Sequence, residues 1–375
     1  MMAPWKIFSV LLVLLVILYF IMLSFDQMHM LQKMIAKTGR TSPCSREPRQ
    51  WLGGELTSPT ISSHVLAGAG FEPPMAGRSV FKTSALPLSH CQKPIHRLQK
   101  LRQKQLREMC DTIKKDWSYS IDDLSDGELA NLIYDDKHHI IYCYVPKVAC
   151  TNWKRLLYAL RYGLSSDQDL VLISRRDAHD SKALRFLKDI NKTEAKAKLK
   201  HYKKFLFVRD PFVRLVSAFR DKIQKYGKSF FERYIFLILN RYGNLSYTVE
   251  TKEHAIASGV SPTFHNFVQY LIDPKTRKPF DEHWRPMYQL CHPCLIQYDF
   301  IGHQETLQED TNQLLKILEL EKWKFPPANQ NVTAQDSMFN WFKPVLMEER
   351  RKLYELYEMD FKLFGYSKPV ELLDG

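Results

Sequence analysis

The stretch Tyr142-Cys143-Tyr144-Val145-Pro146-Lys147-Val148-Ala149-Cys150-Thr151-Asn152-Trp153-Lys154-Arg155 decides how this chain is read. It continues a β-branched and aromatic run, Ile140 to Val145, that stops at Pro146. That is the pattern of a short buried strand. From Thr151 to Arg161 the pattern turns helical, with Thr151 or Asn152 near the start. Between the two, Val148, Ala149 and Cys150 are small enough for the backbone to curl closely round an anion. Helix-start amides with Thr151 and Asn152 supply neutral donors, and Lys147 supplies a mobile positive charge.

A second junction downstream matches the first in chemistry. Phe205-Leu206-Phe207-Val208 is another buried strand, followed by Arg209-Asp210-Pro211-Phe212-Val213-Arg214-Leu215-Val216-Ser217. Pro211 suits the first turn of a helix. Arg209 leaves the strand end and Ser217 lies two turns on, so the pair is placed to grip a second phosphate. Two anion sites on neighbouring strand ends suit one nucleotide phosphorylated in two places. A P-loop kinase is the competing reading, but the Walker A motif G-x-x-x-x-G-K-[ST] is missing, and the lysine opens the loop instead of closing it. Tyr298 to Gly302 is a third strand candidate, leading into a helix from Glu305 to Leu320. Strand, loop and helix in series predict an α/β domain with a parallel sheet over 116–375.

Upstream the character changes. Ile7 to Phe25 carries no charge and only two serines. At 1.5 Å per residue it matches the roughly 30 Å hydrocarbon core of a bilayer, and it has no polar face and no small-x-small exit. It is expected to be a signal-anchor behind a short cytosolic tail, residues 1–6. Thr41 to His90 is rich in Gly and Pro without periodicity, which reads as a stem, and Pro94 to Lys115 as a basic, weakly amphipathic, solvated neck. Residues 26–115 are thus stem and neck. Charges flanking the anchor are ambiguous, but sequons at Asn191, Asn244 and Asn331 all lie after it. A single-pass protein with a lumenal C-terminal domain is the economical topology. The net charge of +13 favours a polyanionic partner, and 45% hydrophobic residues exclude a wholly disordered chain.

The two junctions together resemble the Golgi carbohydrate sulfotransferases of the chondroitin 4-O-sulfotransferase group. Further matches are Asn266 to Asp273, Glu282-His283-Trp284, Leu290 to Cys294 and Met359 to Pro369, so the resemblance covers about Tyr134 to Leu373. It implies a P-loop-like, three-layer parallel-sheet domain using 3′-phosphoadenosine 5′-phosphosulfate (PAPS). Pro146, Lys147, Val148, Ala149, Cys150, Thr151 and Asn152 would take the 5′-phosphosulfate, and Arg209 to Ser217 the 3′-phosphate. Val148-Ala149-Cys150-Thr151 is closer to the chondroitin version of the loop than to the Ala-Gly-Cys-Ser version of enzymes acting on glycoprotein N-acetylgalactosamine. The expected acceptor is the 4-hydroxyl of N-acetylgalactosamine in a glycosaminoglycan, chondroitin or dermatan, with N-acetylgalactosamine on glycoprotein glycans as the alternative, and not nucleic acid. A homodimer is compatible with the sequence. A non-catalytic glycosaminoglycan-binding membrane protein would share the charge but not the paired loops.

Sulfuryl transfer is dominated by positioning and charge stabilisation. Lys147 suits the bridging oxygen of the leaving nucleotide. No metal is expected: His138-His139 has no clustered carboxylates beside it. Cys291-His292-Pro293-Cys294 is a lone C-x-x-C, which reads as half a zinc site, a redox pair or, in a lumenal protein, structural disulfides with unspecified partners. The sugar hydroxyl needs a base. His179, between the donor loops, is preferred; His283 in Glu282-His283-Trp284-Arg285 competes; a packing or surface histidine is the plain alternative for each. Arg175-Arg176, Lys196 to Lys204 and Lys222 to Lys228 are candidates for a polyanion track.

Overall fold

The computed structural model describes residues 93–114, 120–276, 280–327 and 335–374; the expected anchor at 7–25, the stem and Asn331 lie outside them. Among the described residues four strands form one sheet in chain order: β1 (Leu132–Asp135), β2 (Ile140–Cys143), β3 (Lys203–Val208) and β4 (Phe300–His303). β2, β3 and β4 run parallel, with Tyr142 opposite Phe205 and Phe205 opposite Phe300. β1 pairs antiparallel to β2. The sheet expected to be parallel throughout is therefore mixed. The cause is the connection: only Asp136–His139 separates β1 from β2, with His139 at φ 51°, and so short a turn can only fold the chain back on itself.

Every residue of β2, and every residue of β3 after Lys203, is buried, as befits strands covered on both faces. Above them lies the helix α2 (Cys150–Arg161), whose Trp153 packs on Phe205 and Phe207 with ring centroids 4.9 and 5.0 Å apart. Gly302 in β4 is required by the same packing. A Cβ there would come 2.2 Å from the Phe207 ring.

The helix expected as a solvated neck, α1 (Lys93–Lys114), is instead docked on the domain. Its Gln99 pairs with both main-chain groups of Ile301, accepting from the amide at 3.1 Å and donating to the carbonyl at 2.9 Å. A side chain thus occupies hydrogen-bonding groups that the edge strand β4 would otherwise expose. Arg102 reaches the buried Asp310 at 2.8 Å, Leu106 and Cys110 are buried, and Cys110 is bridged to Cys294. The sequence hid this, because polar side chains, Gln99 and Arg102, make much of the contact.

After β3 comes α3 (Pro211–Ala218), which opens a second, aromatic core built from helices. The helix α4 (Leu307–Ile317), after β4, packs into the first core with the sheet, whereas α5 (Met347–Phe364) lies in the second and holds the segment around Trp284. The Tyr357 hydroxyl donates to the Trp284 carbonyl at 2.5 Å, and Asp360 accepts from the Met287 and Tyr288 amides at 2.7 and 2.8 Å. Burial pushes the Asp360 carboxyl up to about 6. These bonds fix the stretch carrying His283.

Candidate active site

The loop between β2 and α2 is wound by two non-glycine residues in the left-handed region, Lys147 at φ 73° and Ala149 at φ 51°. Such backbone is costly and concentrates at functional sites. Ala149 precedes α2 without a side-chain cap, and no acidic residue stands in the first turn. The amides of Cys150 and Thr151 are thereby left for an outside anion, while that of Asn152 donates to the Ala149 carbonyl at 3.0 Å. Arg214, 1% exposed, braces the loop from beneath: it donates to the carbonyls of Pro146 at 3.0 Å, Arg285 at 2.8 Å and Glu282 at 2.8 Å. Pro146 and Val148 are buried, while Lys147, Ala149, Cys150, Thr151 and Asn152 are half-buried along the opening.

The Lys147 ammonium lies 3.0 Å from Asp221, which also meets Lys225 at 2.8 Å, Lys222 at 3.6 Å and Arg175 at 3.7 Å. Asp221 sits on a π-helical turn, Phe219–Ile223, of the kind that often marks functional positions. Burial works against its charge, but Lys225, Lys147 and Lys222 outweigh it and hold the carboxyl well below the usual range. Burial lowers the Lys147 pKa, with Asp221 opposing. One carboxylate amid four cations marks a place where negative charge is stabilised.

The second junction is built differently. Asp210 caps α3 by accepting from the Phe212 and Val213 amides at 2.9 Å each, so this N-terminus already holds its own carboxylate. Pro211, Phe212, Val213, Leu215 and Val216 are buried, and Arg214 serves the first loop. The expectation that the whole run faces a nucleotide narrows to Arg209 and the half-buried Ser217. Arg209 is 6% exposed and donates to the Lys147 carbonyl at 3.3 Å, which ties the two strand ends together.

Both candidate histidines belong to one neighbourhood. His179 ends a short helix, Arg175–His179, and its Nε2 lies 2.9 Å from Thr151 Oγ1 of the loop. The residue is open to solvent on one side, yet desolvation by the surrounding protein, with Lys154, Arg175, Lys222 and His283 nearby, lowers its pKa to about 4. It is neutral at pH 7. His283 Nδ1 lies 2.5 Å from Asp281, and its ring stands edge-on to Phe230. Burial holds its pKa below the usual imidazole value although Asp281 pulls upward. Asp281, Asp221 and Lys154 were not singled out in the sequence. The signals were slight: a carboxylate two before a histidine, a charged triplet Arg220-Asp221-Lys222, and one lysine among the apolar residues of α2.

The basic clusters divide. Lys196, Lys198 and Lys204 are paired with Asp122, Asp136 and Asp299, so Lys196 to Lys204 is mostly neutralised locally. Arg175, Lys222 and Lys225 converge on Asp221 instead. Cys291 and Cys294 are neither a zinc half-site nor a redox pair: they are bridged to Cys143 and Cys110. Asn191 and Asn244 are exposed.

The Sulfotransferase family model matches residues 130–367. "Carbohydrate sulfotransferase 12" of Xenopus laevis is 48% identical over 269 residues, covering 68% of this chain and 64% of the relative. "Carbohydrate sulfotransferase 11" of Rattus norvegicus is 43% identical over 251 residues, covering 66% and 70%. "Carbohydrate sulfotransferase 8" of Homo sapiens is 33% identical over 281 residues, covering 73% and 64%. The chain thus spans a little under two thirds of the first relative's length. No solved structure matches it. With both strand-end junctions inside the matched region, the chain belongs to the sulfotransferase family.

Proposed function

We propose that this protein transfers sulfate from PAPS to the 4-hydroxyl of N-acetylgalactosamine in chondroitin or dermatan chains. The observation that carries the donor is the uncapped α2 N-terminus, with Lys147 beside it and Arg209 on the adjoining strand end. A nucleotide with a phosphosulfate at one end and a phosphate at the other fits that donor set in charge. When bound, PAPS supplies the sulfuryl group and a bisphosphorylated leaving group. Lys147 and the α2 amides neutralise charge at the 5′ end, and Arg209 with Ser217 neutralises it at the 3′ end. His179, neutral and in contact with the loop, accepts the proton of the acceptor hydroxyl. His283, oriented through Nδ1 by Asp281, forms part of the acceptor wall.

The chondroitin preference rests on the Val148-Ala149-Cys150-Thr151 loop. The placement we propose is the Golgi membrane, by one anchor at 7–25, with a lumenal domain. Among the described residues no helix is long and apolar enough to cross a membrane. Incubating the full-length protein with labelled PAPS and a panel of desulfated glycosaminoglycans, followed by disaccharide analysis, tests the activity. The expected product is 4-O-sulfated N-acetylgalactosamine, and label on O6 or on no polymer contradicts the proposal. Lys147→Ala is expected to lower turnover by about ten- to a hundredfold or more, the value of a charge-assisted contact.

A further inference from the structure

Lys154 stands on α2 one turn beyond Cys150, and it is 6% exposed. A buried ammonium is ordinarily paired with a carboxylate or with carbonyls, because leaving its three donors unmet is costly. Here its ammonium lies 3.5 Å from the centre of the Tyr144 ring and has no hydrogen-bond or ion-pair partner among the described residues. The ring gives a cation partial compensation and no acceptor atom. Tyr144 is itself fixed, since its hydroxyl donates to Glu282 at 2.8 Å, and Glu282 precedes His283. Lys154 also contributes to the electrostatic environment of His179, whereas the Lys147 ammonium is matched to Asp221. The unmet charge therefore lies beside Tyr144 and its partner Glu282, within electrostatic reach of His179.

We infer that Lys154 is an acceptor-binding residue, which receives the carboxylate of the uronic acid next to the sulfated sugar. This rests on the proposed sulfation of an acidic polysaccharide and names its recognition group. A carboxylate brought in by the polymer completes the donors that the fold leaves open, and Tyr144 beneath holds the ammonium in place. A neutral glycan brings no such group, so Lys154 distinguishes acidic from neutral acceptors. An unpaired buried charge costs stability, which is the usual sign of a residue kept for binding.

The test compares wild type, Lys154→Met and Lys154→Gln on desulfated chondroitin and on the same polymer with its carboxyls chemically reduced to hydroxymethyl groups. On chondroitin both variants should raise the acceptor KM by about ten- to a hundredfold, with kcat and donor affinity held. On the reduced polymer wild type and variants should coincide at the raised KM. Both variants should melt no lower than wild type, since a buried unpaired charge has been removed, which separates the binding role from a packing one. Equal loss of kcat on both polymers with KM unchanged would overturn the inference and put Lys154 at the sulfuryl group; wild-type kinetics in both variants would overturn it outright. A wild type that sulfates neither polymer contradicts the proposed function itself, and the inference with it.

Discussion

His179 and His283 share a neighbourhood but differ in what holds them, and that difference predicts different kinetics. His179 touches the β2–α2 loop through Thr151, while Asp281 holds His283; in the proposed reaction the first lies on the donor side and the second on the acceptor side. A general base contributes typically about 10²–10⁴-fold to rate. His179→Ala should therefore cut kcat on that scale with little change in donor affinity by calorimetry, and His283→Ala should mainly raise the acceptor KM. The opposite split would move the base to His283. The pH profile is a separate check. The base works when neutral, so activity is lost as pH falls through its pKa, and with His179 at about 4 the acid limb of kcat/KM should lie well below that of an ordinary imidazole at 6.5. A limb centred near 6.5 would exclude His179 as placed here. Lys147 was legible because the loop that uses it is local in sequence. Its partner Asp221 lies 74 residues away and Tyr144's partner Glu282 lies 138 away, so no spacing rule could join them.

Among the elements, β2, β3 and the helices that follow them announced themselves by periodicity and by Pro146 and Pro211. β1 was missed because four residues before a turn carry little pattern, and the docking of α1 because its contacts are polar and distant. Arg102 on α1 meets Asp310, whose side chain is 1% exposed, at 2.8 Å. Asp310 also accepts from the His303 amide at 2.8 Å and from Thr306 Oγ1 at 2.6 Å, so it cannot be moved to water cheaply. Replacing Arg102 by Met removes the buried carboxylate's cation, at an expected cost of about 3–5 kcal/mol. Chemical denaturation with the Cys110–Cys294 bridge intact measures it. A cost near zero would mean that α1 does not stabilise the domain. The bridge should itself stabilise the fold, because it closes a 184-residue separation, and disulfides of native domains typically contribute about 2–5 kcal/mol.

On the scale of the whole molecule, topology and donor chemistry have to agree. The two bridges among the described residues suit an oxidising compartment, and the exposed Asn191 and Asn244 suit the proposed lumenal placement. Glycosidase treatment of the full-length protein from animal cells should shift its mobility, and protease added to sealed microsomes should spare the domain; complete digestion without detergent would refute the lumenal placement. What the sequence could not show at this scale is how the second junction is built, since Arg214 looks like a phosphate binder until the fold turns it onto three carbonyls. The central claim is that two neighbouring strand ends hold one nucleotide phosphorylated in two places. Calorimetric titration of the wild type and Arg209→Ala with adenosine 3′,5′-bisphosphate and with adenosine 5′-phosphate tests it most directly. Wild type should bind the bisphosphate about ten- to a hundredfold more tightly than the monophosphate, and Arg209→Ala should erase most of that difference while leaving monophosphate binding nearly unchanged. Equal affinity of wild type for the two nucleotides, or a difference that survives in Arg209→Ala, would contradict the account.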